Sequence, residues 1–419
     1  MNSWIRQVRI LDPLTQRDQI GDVLIRDGTI QAIDHALDVS GADIREFDGQ
    51  GCVLAPGLVD LYSQTGEPGH ESRETLAQLL TAAAQGGFTR VVFLPNTIPA
   101  VDTPAQVVQR LTANQPNQPQ FLPWGAITQG TEGKRLTDLI ELGSTGIVGF
   151  CDGQPLANSL MVQRLLDYTQ SLTLPVAMWP CDLNQTGICR DGADAIRLGL
   201  SSLPVTSETA PLTALLEEIA TSLRPVHLMR ISTARSVDLI RSAKARGLPV
   251  TASVTWLHLL FSTADLDKYD PSLRLAPPLG TPEDQTALID GLEDGTLDAI
   301  AVDHCVHTYE EKAVPFGIAP PGAAGLQLAL PLLWQTFVTP KRWSPLQLWT
   351  YLSLRPAQCL NIEPASVQLN TAANLVLFDP HDAWTVTTDS LGCDVINTPY
   401  ADQTIWGKTK HMWVSAINN

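Results

Sequence analysis

Side chains that could hold a metal ion follow two apolar runs of the sequence. The run "LDAIAV" is followed by Asp303, His304 and His307, and "TGIVGF" is followed within two residues by Asp152. Zinc readily takes such carboxylate and imidazole ligands. A two-metal site needs about six of them, and another run is followed by Arg230, whose permanent charge repels a divalent ion. The pattern favours ordinary loop residues, with one metal on Asp303, His304 and His307 as the alternative.

Nucleophilic catalysis finds less support in the sequence. The chain has no GxSxG motif and no phosphate-binding GxxxxGK[ST] loop. Ser232, His258 and Asp303 could form a Ser/His/Asp set, but their spacing fixes no geometry. His227 lies in the middle of an apolar run, which is typical of a hydrogen-bonded core histidine rather than a ligand.

The elements that would position these residues are short apolar runs that recur along the chain. They are continuous rather than alternating, which indicates strands buried on both faces. The eight runs are "GLVDLY" (57–62), "TRVVFLPN" (89–96), "QFLPWGAI" (120–127), "TGIVGFCD" (145–152), "LPVAMWPC" (174–181), "RPVHLMRIS" (224–232), "LPVTASVT" (248–255) and "LDAIAVDH" (297–304).

Segments with helical character separate the runs. Three have clear start or stop signals: 71–87, which ends in two glycines, 233–247, which opens on Thr233, and 281–295, which opens Thr-Pro-Glu-Asp. Alternating buried strands and helices predict an α/β fold, a (β/α)8 TIM barrel with its chemistry at the carboxyl ends of the strands. The long connection from 255 to about 281 is expected to be a lid or a partner surface.

Both ends of the chain read as short strands with turns. Examples are "DVLIRDGTIQAID", with an Asp-Gly hairpin signal, and "NLVLFDP". We expect residues 1–55 and 363–419 to form one small β-sandwich beside a barrel of residues 56–362, since the termini of domains usually lie close together. Two unrelated β appendages are the alternative.

Composition narrows the class of protein. The chain has 419 residues, 44% hydrophobic and 17% charged, with a net charge of −17. The chain has no cluster of lysines and arginines of the kind that nucleic-acid binding requires. No apolar run reaches the roughly 18 residues that span a membrane. The N-terminus lacks a signal-peptide pattern, and the seven cysteines are scattered without a CxxC pair. A cytoplasmic protein is expected.

The motifs along the whole chain resemble those of the dihydroorotases, within the amidohydrolase superfamily. The resemblance implies a metal-binding (β/α)8 barrel with a β-sandwich from both termini, in agreement with the patterns above. The matching segments, in the family's order, are "VLAPGLVDL", "ETLAQLLTAAAQGGFTRVVFLPNTIPAVDT", "WGAITQGTEGKRLTDL", "GIVGFCDG", "APPLGTPEDQTALIDGL", "LDAIAVDHCVHT", "APPGAAGLQLALPLL" and "LWTYLSLRPAQCLNI".

The resemblance carries a metal site onto six positions of this sequence. In the family these are four histidines, a bridging aspartate or carboxylated lysine, and an aspartate that binds metal and acts as general base. The six positions here hold Tyr62, Gln64, Trp179 and Arg230 for the histidines, Asp152 for the bridging group, and Asp303. All four histidines are replaced, so we expect no metal and no other cofactor.

Positions that bind substrate in the family are partly kept. Asn96 and His307 stand at substrate contacts, and Pro321-Gly322 matches a substrate-binding loop; with Asp303 they are expected to be vestigial. The lost positions, an asparagine and two arginines in the family, are Ala276, Gly66 and Gly280. The arginine lost at Gly66 is the one that grips the substrate carboxylate.

The chemistry of the family depends on its metal, which lowers the pKa of bound water to about 7. We therefore expect a pseudoenzyme of pyrimidine biosynthesis, with Tyr62 and Trp179 filling part of the space that the metals leave. The resemblance implies a structural partnership with aspartate transcarbamoylase, because non-catalytic members of the family hold that enzyme in larger assemblies. The chain is also expected to form homo-oligomers and to bind neither nucleic acid nor membranes.

Two other functions stay open at this point. One is an active dihydroorotase, or a related cyclic amidohydrolase, with an atypical zinc site on Asp152, Asp303, His304 and His307. The other is a sensor that binds a pyrimidine precursor through Asn96 and His307.

Overall fold

The computed structural model describes residues 2–39, 43–392 and 397–415. The strands are β1 (Asn2–Asp12), β2 (Arg17–Arg26), β3 (Thr29–Asp34), β4 (Ile44–Asp48), β5 (Val53–Pro56), β6 (Leu58–Ser63), β7 (Phe88–Phe93), β8 (Gln120–Gly125), β9 (Gly149–Phe150), β10 (Val176–Met178), β11 (Cys189–Arg190), β12 (Ser202–Leu203), β13 (Val226–Leu228), β14 (Val250–Thr255), β15 (Ala299–Ala301), β16 (Leu375–Thr385) and β17 (Thr404–Trp413).

Helices lie between the strands from β6 onward. The α-helices are α1 (Leu76–Gly86), α2 (Pro104–Leu111), α3 (Leu139–Gly143), α4 (Ser159–Tyr168), α5 (Ala193–Leu198), α6 (Thr206–Ser222), α7 (Ala234–Ala245), α8 (Trp256–Leu260), α9 (Pro282–Glu293), α10 (Tyr309–Lys312), α11 (Ala329–Leu333), α12 (Pro345–Trp349), α13 (Arg355–Cys359) and α14 (Thr388–Leu391). Two π-helical turns, Trp334–Val338 and Thr350–Leu354, continue α11 and α12.

Eight parallel strands form the barrel, in the order β6-β7-β8-β9-β10-β13-β14-β15. Each contains residues of one predicted apolar run, so the eight-stranded prediction is confirmed. The last strand returns to the first, where the backbone N–H of Asp303 donates to the carbonyl oxygen of Tyr62 at 3.1 Å. Beside it, buried Asp60 accepts from the N–H of Val302 at 2.7 Å. These contacts bring the first and last strand ends together.

The three predicted helices correspond to α1, α7 and α9, and local capping explains their bounds. Thr233 and Thr281 each accept a hydrogen bond from the backbone N–H three residues on. Helix α1 begins five residues after the start of the predicted segment, at a cap on Thr75. It ends where Gly87 adopts a left-handed φ of 82°, which glycine takes without a Cβ penalty.

The two ends of the chain meet in one seven-stranded sheet. Its hydrogen-bonded order is β17-β16-β5-β1-β2-β3, with β4 pairing in parallel with β1. The sheet has an apolar core of its own, which joins Ile5 and Val23 near the N-terminus to Leu375 and Trp413 near the C-terminus. The prediction of one module shared by both termini is confirmed, because β5 pairs directly with β16.

Some elements differ from the sequence-based expectations. The connection after β14 is not a simple long loop, because it contains α8 and two 3₁₀ turns, Thr263–Lys268 and Pro271–Leu273. Strands β11 and β12, which form a small parallel pair outside the barrel, were not predicted. Each is only two residues long, too short to leave a periodic pattern. Within the described ranges, no helix has the length and apolarity that crossing a membrane requires.

Candidate functional site

The carboxyl ends of the barrel strands surround a cavity of about 240 Å³. Because parallel strands present their ends on one face, this is where a barrel of this kind places its chemistry. The polar residues that line the cavity come from five strand ends and the loops beside them. They are Gln64, Gln154, Arg230, Thr255, His258, Asp303 and Cys305.

An ion pair dominates the cavity. Arg230 donates from Nε to Oδ2 of Asp303 at 2.8 Å and from Nη2 to Oδ1 at 2.6 Å, so the guanidinium grips the carboxylate with two parallel bonds. Its Nη1 donates to the carbonyl oxygen of Gly153 at 3.2 Å. The Arg230 side chain is 4% exposed and that of Asp303 is 17% exposed. The pair is therefore largely withdrawn from water.

Two aromatic rings complete the surroundings of the guanidinium. Its central carbon lies 4.7 Å from the ring centroid of Trp179 and 5.6 Å from that of Tyr62, both within the range of cation–π attraction. Burial lowers the pKa of Arg230, but the Asp303 carboxylate more than offsets this and leaves it above its ordinary value. The positive charge is fixed at this place, because no accessible pH removes the proton.

Both members of the ion pair lie on strained backbone. Arg230 has a φ of 56° and Asp303 a φ of 53°, in the left-handed region that side chains other than glycine rarely adopt. Such strain costs on the order of 1 kcal/mol per residue and is kept only where the surrounding structure enforces it. At these two strand ends it turns both side chains towards the cavity.

Tyr62 supports the pair from inside the barrel. Its hydroxyl accepts from the backbone N–H of Arg230 at 3.1 Å and lies 2.9 Å from Oγ of Ser253. The chain of hydrogen bonds continues to His227 at 2.8 Å and from there to Thr251 at 2.9 Å. Burial lowers the pKa of His227 to about 3, so its ring is neutral. The interpretation of His227 as a hydrogen-bonded core residue is confirmed.

The three residues of the "DHCVH" motif do not converge on one point. His304 donates from Nε2 to Glu74 at 3.0 Å and accepts at Nδ1 from the N–H of Gly325 at 3.0 Å. His307 donates from Nε2 to the carbonyl oxygen of Pro321 at 3.0 Å. Across the described ranges, no three His, Cys, Asp or Glu side chains are grouped as metal ligands. The single-metal alternative on Asp303, His304 and His307 is wrong for this geometry.

Asp152, the retained bridging position, faces a different partner. Its two carboxylate oxygens accept from the backbone N–H of Thr128 at 2.9 Å and from the Thr128 hydroxyl at 2.6 Å. Burial raises the pKa of Asp152, and the two hydrogen bonds oppose that rise. Asp152 is not among the residues that line the cavity. Its carboxylate fixes the loop after β8 rather than facing the cavity.

The Ser/His/Asp hypothesis is also wrong. Ser232 hydrogen-bonds to Glu208 and accepts from Arg190 at 2.7 Å. His258 lies 2.6 Å from the Thr255 hydroxyl through Nδ1 and 3.3 Å from the Pro278 carbonyl oxygen through Nε2. Neither contacts the other or Asp303. Sequence spacing could not reveal this, because each residue takes its partner from a different loop.

A cysteine next to a histidine lines the cavity, and no sequence pattern had singled it out. The Sγ of Cys305 is 3.3 Å from Nε2 of His307 and donates to Oε1 of Gln64 at 3.3 Å. The same Nε2 donates to Pro321, so it carries a proton and cannot accept one from the thiol. Burial raises the pKa of Cys305 to about 12. The thiol is therefore not activated as a nucleophile.

The backbone has closed around two positions that carry arginines in the resembling family. A Cβ on Gly66 would lie 2.4 Å from the carbonyl oxygen of Glu74 and 2.7 Å from that of His70. A Cβ on Gly280 would lie 2.5 Å from Cβ of Asp284. Neither loop admits any side chain in this conformation, so neither position can hold the arginine that the resemblance implies.

Among the retained substrate positions, only the Pro321-Gly322 loop lines the cavity. Asn96 is half-buried beyond the end of β7 and does not line it. His307 is buried behind Cys305 and Pro321, and its Nδ1 has no hydrogen-bond partner within the described residues. Ala276 and Trp179 form apolar parts of the wall.

The fold matches known cyclic amide hydrolases. An L-hydantoinase (dihydropyrimidinase) from Arthrobacter aurescens superposes with a TM-score of 0.84 at 20% sequence identity, over 97% of this chain and 93% of that chain. A dihydropyrimidinase from Brevibacillus agri superposes with a TM-score of 0.82 at 19% identity. At these identities the likeness establishes the fold alone, a TIM barrel with a terminal β module.

Sequence relatives establish the family. A family model described as dihydro-orotase-like matches residues 51–172. A "probable dihydroorotase-like protein" of Synechocystis sp. is 41% identical, over 96% of this chain and 97% of the relative. The dihydroorotase of Thermus aquaticus is 38% identical over 90% of each chain, and that of Pelotomaculum thermopropionicum is 34% identical over 97% and 96%. The chain belongs to the dihydroorotase-like family.

Proposed function

We propose that this chain is a non-catalytic member of the dihydroorotase-like family that serves as a structural partner in pyrimidine biosynthesis. One observation carries the proposal: Arg230 binds Asp303 through two hydrogen bonds at 2.8 and 2.6 Å, where the family resemblance assigns two metal ligands. A cation that belongs to the protein takes the carboxylate that a metal ion would need.

The residues at the remaining family positions do not fit a zinc ion. Tyr62 has a buried hydroxyl whose pKa burial raises, and it is engaged by Ser253 and the backbone of Arg230. Trp179 offers an indole N–H, which is a donor only. Gln64 accepts from Cys305. At these family positions a metal ion would meet one fixed positive charge and no imidazole, whereas zinc prefers anionic or imidazole ligands.

No other group in the cavity supplies a nucleophile or a base. Asp303 would have to leave a bidentate guanidinium before it could accept a proton. Burial lowers the pKa of His258 to about 4, and both of its ring nitrogens have partners. The Cys305 thiol is protonated. General acid–base catalysis needs a group with a pKa near the working pH and within reach of the substrate, and these residues do not provide one.

Binding of a carboxylate substrate also lacks support in the cavity. Among the described residues, Arg230 is the one guanidinium that lines it, and its Nε and both Nη nitrogens already donate hydrogen bonds. The loops at Gly66 and Gly280 have no room for a replacement arginine. The sensor alternative loses its basis for the same reason, since Asn96 and His307 do not line the cavity.

The partner in this proposal is aspartate transcarbamoylase. The support is the family resemblance over the whole chain together with a barrel whose folded core is kept while its site chemistry is replaced. Loss of catalytic residues without loss of the fold is what a scaffold role requires, because a docking surface needs the packed barrel and not the metal. Homo-oligomerisation and a cytoplasmic location are further parts of the proposal.

The proposed lack of catalysis is tested on the purified chain in two ways. One is elemental analysis after growth with added zinc, and the other is an assay of dihydroorotate ring opening and of the reverse ring closure. We expect substoichiometric metal and no turnover above the uncatalysed rate. Stoichiometric zinc with turnover that Asp303→Asn abolishes would establish the atypical amidohydrolase instead.

A matched variant sharpens that result. Replacing Tyr62, Gln64, Trp179 and Arg230 together by histidine releases Asp303 and restores the family ligand types. We expect this variant to bind zinc when the parent chain does not, because four imidazoles then face the freed carboxylate. Circular dichroism of both chains shows whether the fold survives the change. If the parent binds as much zinc as the folded variant, the fixed-cation argument is wrong.

The partnership is tested by mixing the chain with aspartate transcarbamoylase of the same organism at about 10 µM, a concentration that detects micromolar affinity. Light scattering after size exclusion should show a complex whose mass exceeds that of either component. Separate elution of both proteins at this concentration would remove the scaffold proposal and leave the catalytic conclusion standing.

A further inference from the structure

A second, larger cavity lies at the opposite end of the barrel. It has a volume of about 720 Å³ and lies where β8, β9 and β10 begin, under the segment 360–374 that leads into the terminal sheet. Its walls therefore belong to both parts of the fold. Much of the lining is aliphatic, with Leu14 from the terminal module, Leu122 and Ile147 from the barrel, and Leu360 and Ile362 from the connecting segment.

Arg90 places a positive charge in this apolar cavity. It lies on β7, lines the cavity and is 6% exposed. Its Nη1 donates to the carbonyl oxygen of Glu363 at 2.7 Å. No carboxylate of the described chain lies within 4.0 Å of the guanidinium, and Nε and Nη2 have no hydrogen-bond partner there. Burial lowers the pKa of Arg90, and the Glu363 carboxylate opposes this from beyond ion-pair distance. Because no carboxylate occupies the guanidinium directly, it can still bind an anion from outside.

The amide of Gln120 is a second polar group on the same wall. Its Oε1 is buried and has no hydrogen-bond partner within the described residues. Turning the amide over would present its NH₂ group instead, so the residue can serve either as an acceptor or as a donor. Thr173, Asn361 and Glu363 also line the cavity, which thus combines aliphatic walls with polar groups. Small-molecule sites have this character, because a few polar contacts orient an apolar ligand.

Other buried arginines differ from Arg90 in a way that matters here. Arg230 and Arg190 have carboxylates within 4.0 Å, Asp303 and Glu208 respectively. Arg110 and Arg224 lack one, but neither of them lines this cavity. Arg90 combines burial, an unpaired guanidinium and an adjacent open volume.

We propose that this cavity binds a small organic anion, with its carboxylate on Arg90 and its apolar body along Leu122, Ile147 and Ile362. The site is independent of the proposed scaffold function, since it lies at the other end of the barrel. A bound anion would contact both the barrel and the segment that enters the terminal sheet, so it would tie the two parts together and stabilise the folded chain.

Hexanoate is a suitable probe, because it has one carboxylate and a short apolar tail, and hexanamide is its uncharged match. Ligand-observed NMR and calorimetry on the full chain should give a dissociation constant for hexanoate on the order of 1 mM, as expected for a ligand of this size. Hexanamide should bind at least about tenfold more weakly, because it cannot form charge-assisted hydrogen bonds with a guanidinium. Equal affinities, or no binding of hexanoate at about 10 mM, would overturn the proposal.

Variants locate the binding. Arg90→Gln keeps a donor for the Glu363 carbonyl oxygen but loses the charge, and it should weaken hexanoate at least about tenfold. Arg90→Lys should retain part of the affinity. Arg110→Gln is the matched control, since Arg110 is a buried arginine without a carboxylate partner outside the cavity, and it should leave hexanoate binding unchanged.

Ala365→Trp provides a test that keeps Arg90 in place. Ala365 lines the cavity and is half-exposed, so a tryptophan there should fill the volume and abolish binding without removing any charge. Thermal unfolding of each variant without ligand checks the fold. Undiminished hexanoate binding by folded Arg90→Gln or by folded Ala365→Trp would place the ligand elsewhere and sink the proposal.

Discussion

The two ends of the barrel each hold a buried arginine, and the two arginines have opposite surroundings. At the carboxyl ends of the strands, Arg230 is clamped by Asp303 and covered by the rings of Trp179 and Tyr62 around a cavity of about 240 Å³. At the amino ends, Arg90 donates to one carbonyl oxygen, forms no ion pair with any described carboxylate, and has a cavity of about 720 Å³ beside it.

The difference shows how a charge can be either part of the structure or available to a ligand. A bidentate pair compensates the charges of guanidinium and carboxylate, so the charge that a substrate or a metal ion would need is already taken. An unpaired guanidinium keeps its bidentate edge free, and Glu363 offsets the burial of the Arg90 charge only from a distance. The end of the barrel that the family uses for catalysis is thus internally neutralised here, while the opposite end is not.

The largest effect on the free energy of unfolding is expected from Arg230→Met. The substitution leaves the Asp303 carboxylate without its partner in a largely buried place, which costs about 3–5 kcal/mol of unfolding free energy. Urea denaturation monitored by circular dichroism measures it. The double variant Arg230→Met/Asp303→Leu should recover much of the loss, because it removes the orphaned charge as well. A loss below about 1 kcal/mol for the single variant would mean that the pair contributes no more to stability than a surface ion pair.

The free energy of unfolding should depend on pH through Asp60, which lies where the first and last barrel strands meet beside this pair. Burial raises the pKa of Asp60 to about 7, although Ser63 and the N–H of Val302 donate to its carboxylate. Because the folded pKa lies above the unfolded one, the stabilisation is complete below the unfolded pKa and is lost as pH rises through about 7.

Urea titrations at several pH values between about 5 and 8 measure this effect. Over that range, ionisation of Asp60 should lower the free energy of unfolding by roughly 2–3 kcal/mol. Asp60→Asn cannot titrate, so its stability relative to the parent should improve with rising pH. The comparison with the variant is needed, because burial lowers the pKa of His227 and His258 and so gives the opposite pH trend. A constant difference between the two chains at all pH values would show that Asp60 does not titrate in this range.

Tyr62→Phe tests the hydrogen bond between the Tyr62 hydroxyl and the backbone N–H of Arg230. Removing the hydroxyl leaves the backbone N–H of Arg230 buried without its acceptor, and this should cost about 1–3 kcal/mol. Tyr400→Phe is the control, since the Tyr400 hydroxyl has no hydrogen bond within the part of the chain described, and its loss should change stability little. Equal effects of the two substitutions would show that the hydroxyl of Tyr62 contributes nothing specific.

The smallest effect is expected from the same change at the other end, Arg90→Met. It breaks one hydrogen bond to Glu363 but leaves no carboxylate unpaired and removes a desolvated charge, so stability should change by no more than about 1 kcal/mol. Side-by-side denaturation of Arg230→Met and Arg90→Met measures the contrast directly. Similar losses in both would contradict the distinction between a structural arginine and one available to a ligand.

Much of the fold could be predicted because its signals are local. Strands buried on both faces need continuous apolar runs, and all eight barrel strands have one. The threonines that cap α7 and α9 and the glycine that ends α1 act within one helical turn. The two-residue strands β11 and β12 and the turns after β14 could not be predicted, since such short elements are set by what they pack against.

The site was harder to predict, because contacts between distant residues decide it. The residue types at the strand ends were visible in the sequence, but the partner of Asp303 lies 73 positions away and was not. The closure of the loop over Gly66 depends on where the carbonyl oxygens of His70 and Glu74 come to lie. One signal was present and not used: Arg90 is a charged residue within an apolar run, "TRVVFLPN", that had been assigned to a buried strand.

The sequence by itself determined the barrel and the shared terminal module, since these follow from periodicity and residue type. Only the tertiary structure decided which side chains meet at the site. Whether Arg230 repels a metal, binds a substrate or neutralises Asp303 depends on distances between the ends of β13 and β15. Electrostatic partners are chosen by proximity in space, and burial then decides their strength, so neither can be read from the order of residues along the chain.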